Sequence, residues 1–402
     1  MTGLADSSVF AYVGSRTTRS RQARGRGISV WRVSRASEPW RLEQMIDADR
    51  DDVGGGPTAG TIPVNPSFLT LDRTGHHLYV VHGDSAYVSA LAVDQATGRL
   101  SLIGTTVTGG RNPVHLSIDP SGHWLIVANL GPFGSVTSHP IRGDSSVGGV
   151  VGTLDLPGTP GPHSAQTGSN PHQASFDPSG RWIVIPDRGL DRVFVASFDE
   201  STGRLALGRH GWTEARRGNG PRHIAWNPEL PAAYVVNELA STVTTCRWDV
   251  STGTLTALQT VSAIAPPMGD SRAAEIAVGP AGRFVYVSNR SGAGDDKPGG
   301  PESDTIGQFR VVDSTGVLDA IGWISTNGIR PRFFAFDPDG RRVYVTNECS
   351  DSIAGFDVDP RDGIMRPIGE VATTGSPVCI AFRRQVPLMG DSPPRVHGVR
   401  RA

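Results

Sequence analysis

An all-β ring of seven blades, each of four antiparallel strands, is predicted for this chain by three observations. One sequence unit recurs seven times at an average interval of about 52 residues, the length of a four-stranded propeller blade. Within each unit the hydrophobic period is two, with β-branched and aromatic residues in the runs and turn residues between them, as in FVYVSN and RVYVTN. The chain ends carry complementary fragments of one of these seven units. Length alone, 402 residues, would have suggested two or three domains, but a repeat of this kind makes one.

The elements follow in chain order. FAYVGSR, from Phe10, matches the second strand of a unit, ISVWRV the third and RLEQMI the fourth, and no first strand precedes them. Later units open at Pro66, Pro113, Pro171, Pro221, Ala273 and Pro331. Their fullest copies begin NPHQASFDPSGRWIVIPDRG at Asn170, GPRHIAWNPELPAAYVVNEL at Gly220 and RPRFFAFDPDGRRVYVTNEC at Arg330. Each runs through a short apolar stretch, an Asp-Pro-x-Gly type turn and three further alternating stretches, with no amphipathic helix of the kind a βαβ repeat needs. The last unit opens at Pro377, and GSPVCIAF is a first strand with nothing after it. The two ends therefore complete one shared blade, which removes the open sheet edges of the ring. Residues 1–382 make one propeller domain, and 383–402, without periodicity, read as a flexible tail.

Composition narrows the function. Lys plus Arg number 38 and Asp plus Glu 39, so no charge excess draws the chain to nucleic acid or an anionic membrane. No apolar run approaches the roughly 20 residues of a membrane span. The opening MTGLADSSVFAYVGS lacks the basic-then-apolar pattern of a secretory signal, so a cytoplasmic location is expected. Cys246, Cys349 and Cys379 are too few and too far apart for a disulfide framework or a zinc site. Lys297 is the single lysine, in a Gly- and Asp-rich loop, which argues against a Walker loop or a Schiff-base lysine. There is no GxSxG, HExxH or CxxC, and no cofactor is expected.

In a blade the first and second strands are antiparallel, so the start of one and the end of the other share one rim of the central channel. Seventeen residues beyond each opening position lie Gly83, Leu130, Arg188, Glu238, Arg290 and Glu348, with Arg16 as the equivalent in the shared blade. Just after the opening positions lie His172 and Gln173, Arg222 and His223, Glu275 and Arg332, with His115 on the far side. Exposed loops carry Arg and Glu as a matter of course, and Arg188, Arg332 and Glu348 taken singly read that way. Imidazoles, guanidinium groups and carboxylates converging on one concave opening are what a site with shifted pKa values needs.

The repeats NPHQASFDPSGRW, GPRHIAWNP with VVNELAST, RAAEIAVGPAGRFVYVSNR and PRFFAFDPDGRRVYVTN resemble the seven-bladed lactonase family, from about Phe10 to Phe382. That family contains propeller-type 6-phosphogluconolactonases and carboxy-cis,cis-muconate lactonising enzymes. The resemblance implies a metal-independent site at the propeller mouth, with His172, Glu238, Arg222 and Arg290 as its catalytic residues. Many relatives read His-Pro-His-Gln where this chain has Asn170-Pro171-His172-Gln173.

The expected activity is hydrolysis of a sugar-acid lactone. Arg222 and Arg290 would hold the substrate anion and the developing oxyanion, and His172 or Glu238 would take a proton from the attacking water. Arg16, Gln173, Arg188, His223, Glu275, Arg332 and Glu348 are the further substrate-binding candidates. The partner is a small anionic lactone or carboxylate. Two alternatives stand beside it: cycloisomerisation of a muconate, and a non-catalytic propeller scaffold. Seven arginines between Arg16 and Arg35, without an acid, read mostly as a solvated hairpin. The insertion after Arg290 and the lead-in LPGTPGPHSAQTGS before Asn170 are either a lid or ordinary surface loops. Asp295, Asp296, Glu302 and Asp304 fit no EF-hand spacing and are not taken as metal ligands.

Overall fold

The computed structural model describes residues 9–33, 38–50, 61–131, 133–265, 271–291 and 304–384. Among these, 28 strands form seven four-stranded antiparallel sheets. Blades 1 to 6 span residues 66–107, 113–155, 175–214, 221–262, 271–325 and 331–373. Blade 7 is shared: Pro377–Arg384 pairs antiparallel with Val9–Ser15, which continues into Gly27–Val33 and Arg41–Asp47. The closing strand runs two residues past the expected boundary, pairing Arg383 with Phe10 and Arg384 with Val9. The tail beyond it lies outside the described residues.

The hairpin turns follow from residue chemistry. Asp119, Asp177 and Asp337 each accept two backbone N–H groups four and five residues on, so the carboxylate closes the turn. The glycine of the same turn sits at φ between 65° and 80° (Gly122, Gly180, Gly340), where a Cβ would be strained. Just before several opening prolines the chain again turns left-handed, at Asn65, Asn112, Gly220, Arg330 and Ser376. Asn and Gly tolerate that conformation best, which explains Asn65, Asn112 and Gly220 at the head of their units.

Seven buried apolar clusters hold the ring, one at each junction between neighbouring blades. Phe10, Tyr12, Ile28 and Val30 of blade 7 meet Leu69, Leu78 and Val80 of blade 1. Ala11 and Val13, the intervening residues of the same strand, face blade 6 through Tyr344 and Ile353. Second strands are thus buried on both faces, and their sequences read as nearly unbroken apolar runs, as strands covered on both sides do. Closure at the seam adds ion pairs from the arginine-rich hairpin: Arg21 with Asp84, Arg24 with Asp351, and Arg26 with Asp47. That hairpin is therefore braced by acids from distant repeats as well as by solvent.

Candidate functional site

The rim residues of blades 3 to 6 come together at one mouth of the channel. Glu238 follows the second strand of blade 4 and is 3% exposed. Arg188 Nη1 reaches its Oε1 at 2.9 Å, while Arg222 Nε and Arg290 Nη2 lie 3.0 and 3.4 Å from its Oε2. Arg222 also donates to the Ala274 carbonyl and Arg290 to the Ala273 carbonyl. Burial alone would raise the Glu238 carboxyl, but the guanidinium groups of Arg188, Arg290, Arg222 and Arg332 outweigh it and hold the group far below the usual carboxylate range. Burial and the facing Arg290 push Arg222 down to about 10, still a cation at neutral pH.

Beside this cluster runs a second chain of contacts. His172 Nδ1 lies 3.1 Å from His223 Nε2, and His223 Nδ1 lies 3.0 and 3.1 Å from the two Glu275 oxygens. All three side chains are buried. Burial, followed by the positive charge of Arg222, the neighbouring His223, and Arg332 and Arg188, holds His172 well below its usual range. His223 is lowered by burial too, but Glu275 works against that shift. The Nε2 of His172 has no hydrogen-bond partner among the described residues.

The segment carrying His172 is not regular strand: the inner strand of blade 3 reduces to Ser175–Phe176. Asp187 holds that segment instead. Its buried carboxylate accepts the Asn170, Gly189 and Leu190 N–H groups and the Ser169 hydroxyl, and His172 N–H donates to the Pro186 carbonyl. Asn170 Oδ1 receives Arg188 Nη2 at 3.2 Å, so it is tied to the guanidinium cluster.

The remaining candidates divide. Arg16 reaches Glu348 at 3.0 Å and Asp84 at 3.3 Å. Arg332, at a bulge in the inner strand of blade 6, forms no ion pair with a described residue. It feels Arg16, Arg222 and Arg290 against Glu348, and burial with these like charges pushes it well below the usual arginine range. Gln173 turns sideways, accepting the Ile224 N–H at 2.6 Å, and so braces blade 3 to blade 4. His115, expected across the channel, instead has its ring 5.9 Å from that of His223, so the inner strands of blades 2 and 4, flanking blade 3, bring these two imidazoles into contact.

Two contributors were not singled out from the sequence, Asp84 and Asp187; Asn170 stood out only as a departure from the family's pattern. Asp187 had a signal, since Asn occupies the matching position, sixteen residues past the opening residue, in blades 2, 4, 5 and 6. The lead-in before Asn170 is strapped to the rim through Gly161 N–H to Gly189, and Gln166 to the Arg188 carbonyl and Asp191. The insertion after Arg290, residues 292–303, lies outside the described residues.

The chain is similar to known proteins over nearly its whole length. Residues 10–382 match the family model described as lactonase, seven-bladed β-propeller. A 6-phosphogluconolactonase of Bacillus subtilis is 29% identical over 325 residues, 80% of this chain and 88% of that protein. One of Pectobacterium carotovorum is 29% identical over 321 residues, covering 80% and 89%. The solved periplasmic gluconolactonase of Pseudomonas aeruginosa superposes with a TM-score of 0.77 at 28% identity, over 93% of this chain and 99% of that one. No helix among the described residues is long and apolar enough to cross a membrane.

Proposed function

Because this chain belongs to the seven-bladed β-propeller lactonase family, we propose that its channel mouth hydrolyses a sugar-acid lactone, with 6-phosphogluconolactone as the first substrate to test. The observation that carries this reading is the site's charge. Arg16, Arg188, Arg222, Arg290 and Arg332 gather around Glu238, Glu348 and Asp84, and Arg332 forms no ion pair with a carboxylate among the described residues. A surplus of positive charge, buried at Arg16, Arg222 and Arg290 and half-buried at Arg188 and Arg332, calls for an anionic ligand.

Roles follow from the contacts. Arg332 receives the substrate anion, since Arg222 and Arg290 already share Glu238. Arg222, held in place by Glu238 and the Ala274 carbonyl, offers a preorganised donor to the oxyanion that develops at the ring carbonyl. Glu238, surrounded by guanidinium groups, is a weak base and serves to position them. His172 is neutral, with Nε2 bearing the available lone pair. It removes a proton from water as the new C–O bond forms, and returns it to the ring oxygen as the lactone C–O bond breaks.

The test is a substrate panel of 6-phosphogluconolactone, gluconolactone and a carboxymuconate, followed by proton release and ultraviolet absorbance. Turnover of a lactone supports the reading. Turnover of the muconate alone would make the chain a cycloisomerase, and silence on all three would favour a binding protein.

A further inference from the structure

We infer that His223 and Glu275 form a buried positioning relay for His172, fixing which of its nitrogens is bare and taking up the proton it gains. The inference rests on the hydrolytic reading only for its kinetic arm. Glu275 as a carboxylate can only accept, so the hydrogen at His223 Nδ1 must point to it. Neutral His223 then has a bare Nε2, which must accept from its neighbour at 3.1 Å. His172 consequently carries its hydrogen on Nδ1 and presents a lone pair at Nε2. One carboxylate, two shells away from the substrate, thereby settles both tautomers.

Charge supplies the reason for a relay. An imidazolium at His172 would stand among Arg222, Arg332 and Arg188 in a buried setting. When Nε2 takes a proton from water, the Nδ1 proton passes to His223 Nε2, leaving His172 neutral. The positive charge then sits on His223, 3.0 Å from the Glu275 carboxylate, as a buried ion pair. Protonation of the leaving oxygen reverses both transfers, so protons and charge balance over the cycle. The other groups facing this chain are His115, whose ring edges His223, and the Cys379 thiol, which burial raises to about 12 and which therefore stays neutral. Glu275 is held in turn by the Ile276 N–H, which donates to its Oε1 at 3.0 Å.

The test uses the full chain and Glu275→Gln. The variant keeps the size of the side chain and an acceptor oxygen but removes the charge. We expect kcat for the lactone to fall about 10²- to 10³-fold with KM changed less than about threefold, because the anion-binding arginines are untouched. The acid limb of the kcat profile should move to lower pH, since the imidazolium has lost its counter-charge; a merely structural role would lower the plateau without moving the limb. Nitrogen-15 histidine NMR of the wild-type protein provides a readout independent of turnover. It should show His172 and His223 both protonated at Nδ1. A His172 proton on Nε2, or an E275Q enzyme with unchanged kcat and acid limb, would overturn the relay. If wild type turns over no lactone while the NMR tautomers are as stated, the hydrolytic reading fails and the relay stands.

Discussion

Replacing Glu238 by glutamine should destabilise the protein measurably while leaving it folded. The substitution removes the one carboxylate that Arg188, Arg222 and Arg290 share at 2.9 to 3.4 Å, in a setting where Glu238, Arg222 and Arg290 are each 3 to 4% exposed. Solvent cannot take over the lost compensation. Breaking a buried ion pair by deleting one partner costs about 3–5 kcal/mol. Unfolding entropy near 2.1 cal/mol/K per residue gives about 0.8 kcal/mol/K for 402 residues. The melting temperature should therefore drop by roughly 4–6 °C. Differential scanning calorimetry measures the drop, and added inorganic phosphate should restore more of it in E238Q than in wild type, because an anion can stand in for the missing charge. A variant that melts within about 1 °C of wild type and keeps its kcat would refute the reasoning, since the cluster would then not be electrostatically coupled.

Other expectations follow from the same contacts. His172→Gln should lower kcat about 10²- to 10⁴-fold with an unchanged circular dichroism spectrum, the loss expected for a general base. Stability should decline on acidification in two stages, followed by urea titration at each pH. The buried His82, His115, His139, His172 and His223 all have lowered values, His82 to about 4, so their contribution is complete above the unfolded value near 6.5 and is lost as pH falls below it. Glu238, Glu348 and Asp84 are lowered as well, and their contribution disappears at still lower pH, beginning near the unfolded carboxylate range. Ending the chain before Pro377 should leave a protease-sensitive, open ring, because Cys379 and Ile380 are buried in the two junctions that the shared blade makes. Arg332→Gln should raise KM for a phosphorylated lactone far more than for gluconolactone, measured by initial rates.

Much of the architecture was legible because a propeller repeats its own rules. The spacing of the opening prolines, the Asp-to-Gly turns and the divided unit at the termini are local or periodic signals, and the structure reproduces each of them in strand order and register. The ring of rim positions was legible for the same reason: counting from Pro171, Pro221, Ala273 and Pro331 reaches residues that meet at one mouth.

Side-chain partnership was decided only by the tertiary structure. Nothing in the spacing says that Glu238 collects three guanidinium groups and so loses its basicity, that Gln173 turns to brace a neighbouring backbone, or that Asp84 and Asp351 answer the arginines of the first hairpin. Nor does it say that His115 packs edge-on against His223 from two blades away, or that Glu275 sets the imidazoles in line. Periodicity places backbone, which the hydrophobic pattern and turn chemistry dictate locally. Hydrogen bonds and ion pairs depend on directions and separations of a few ångströms between residues that mostly come from different blades, and those distances exist only once the ring has closed.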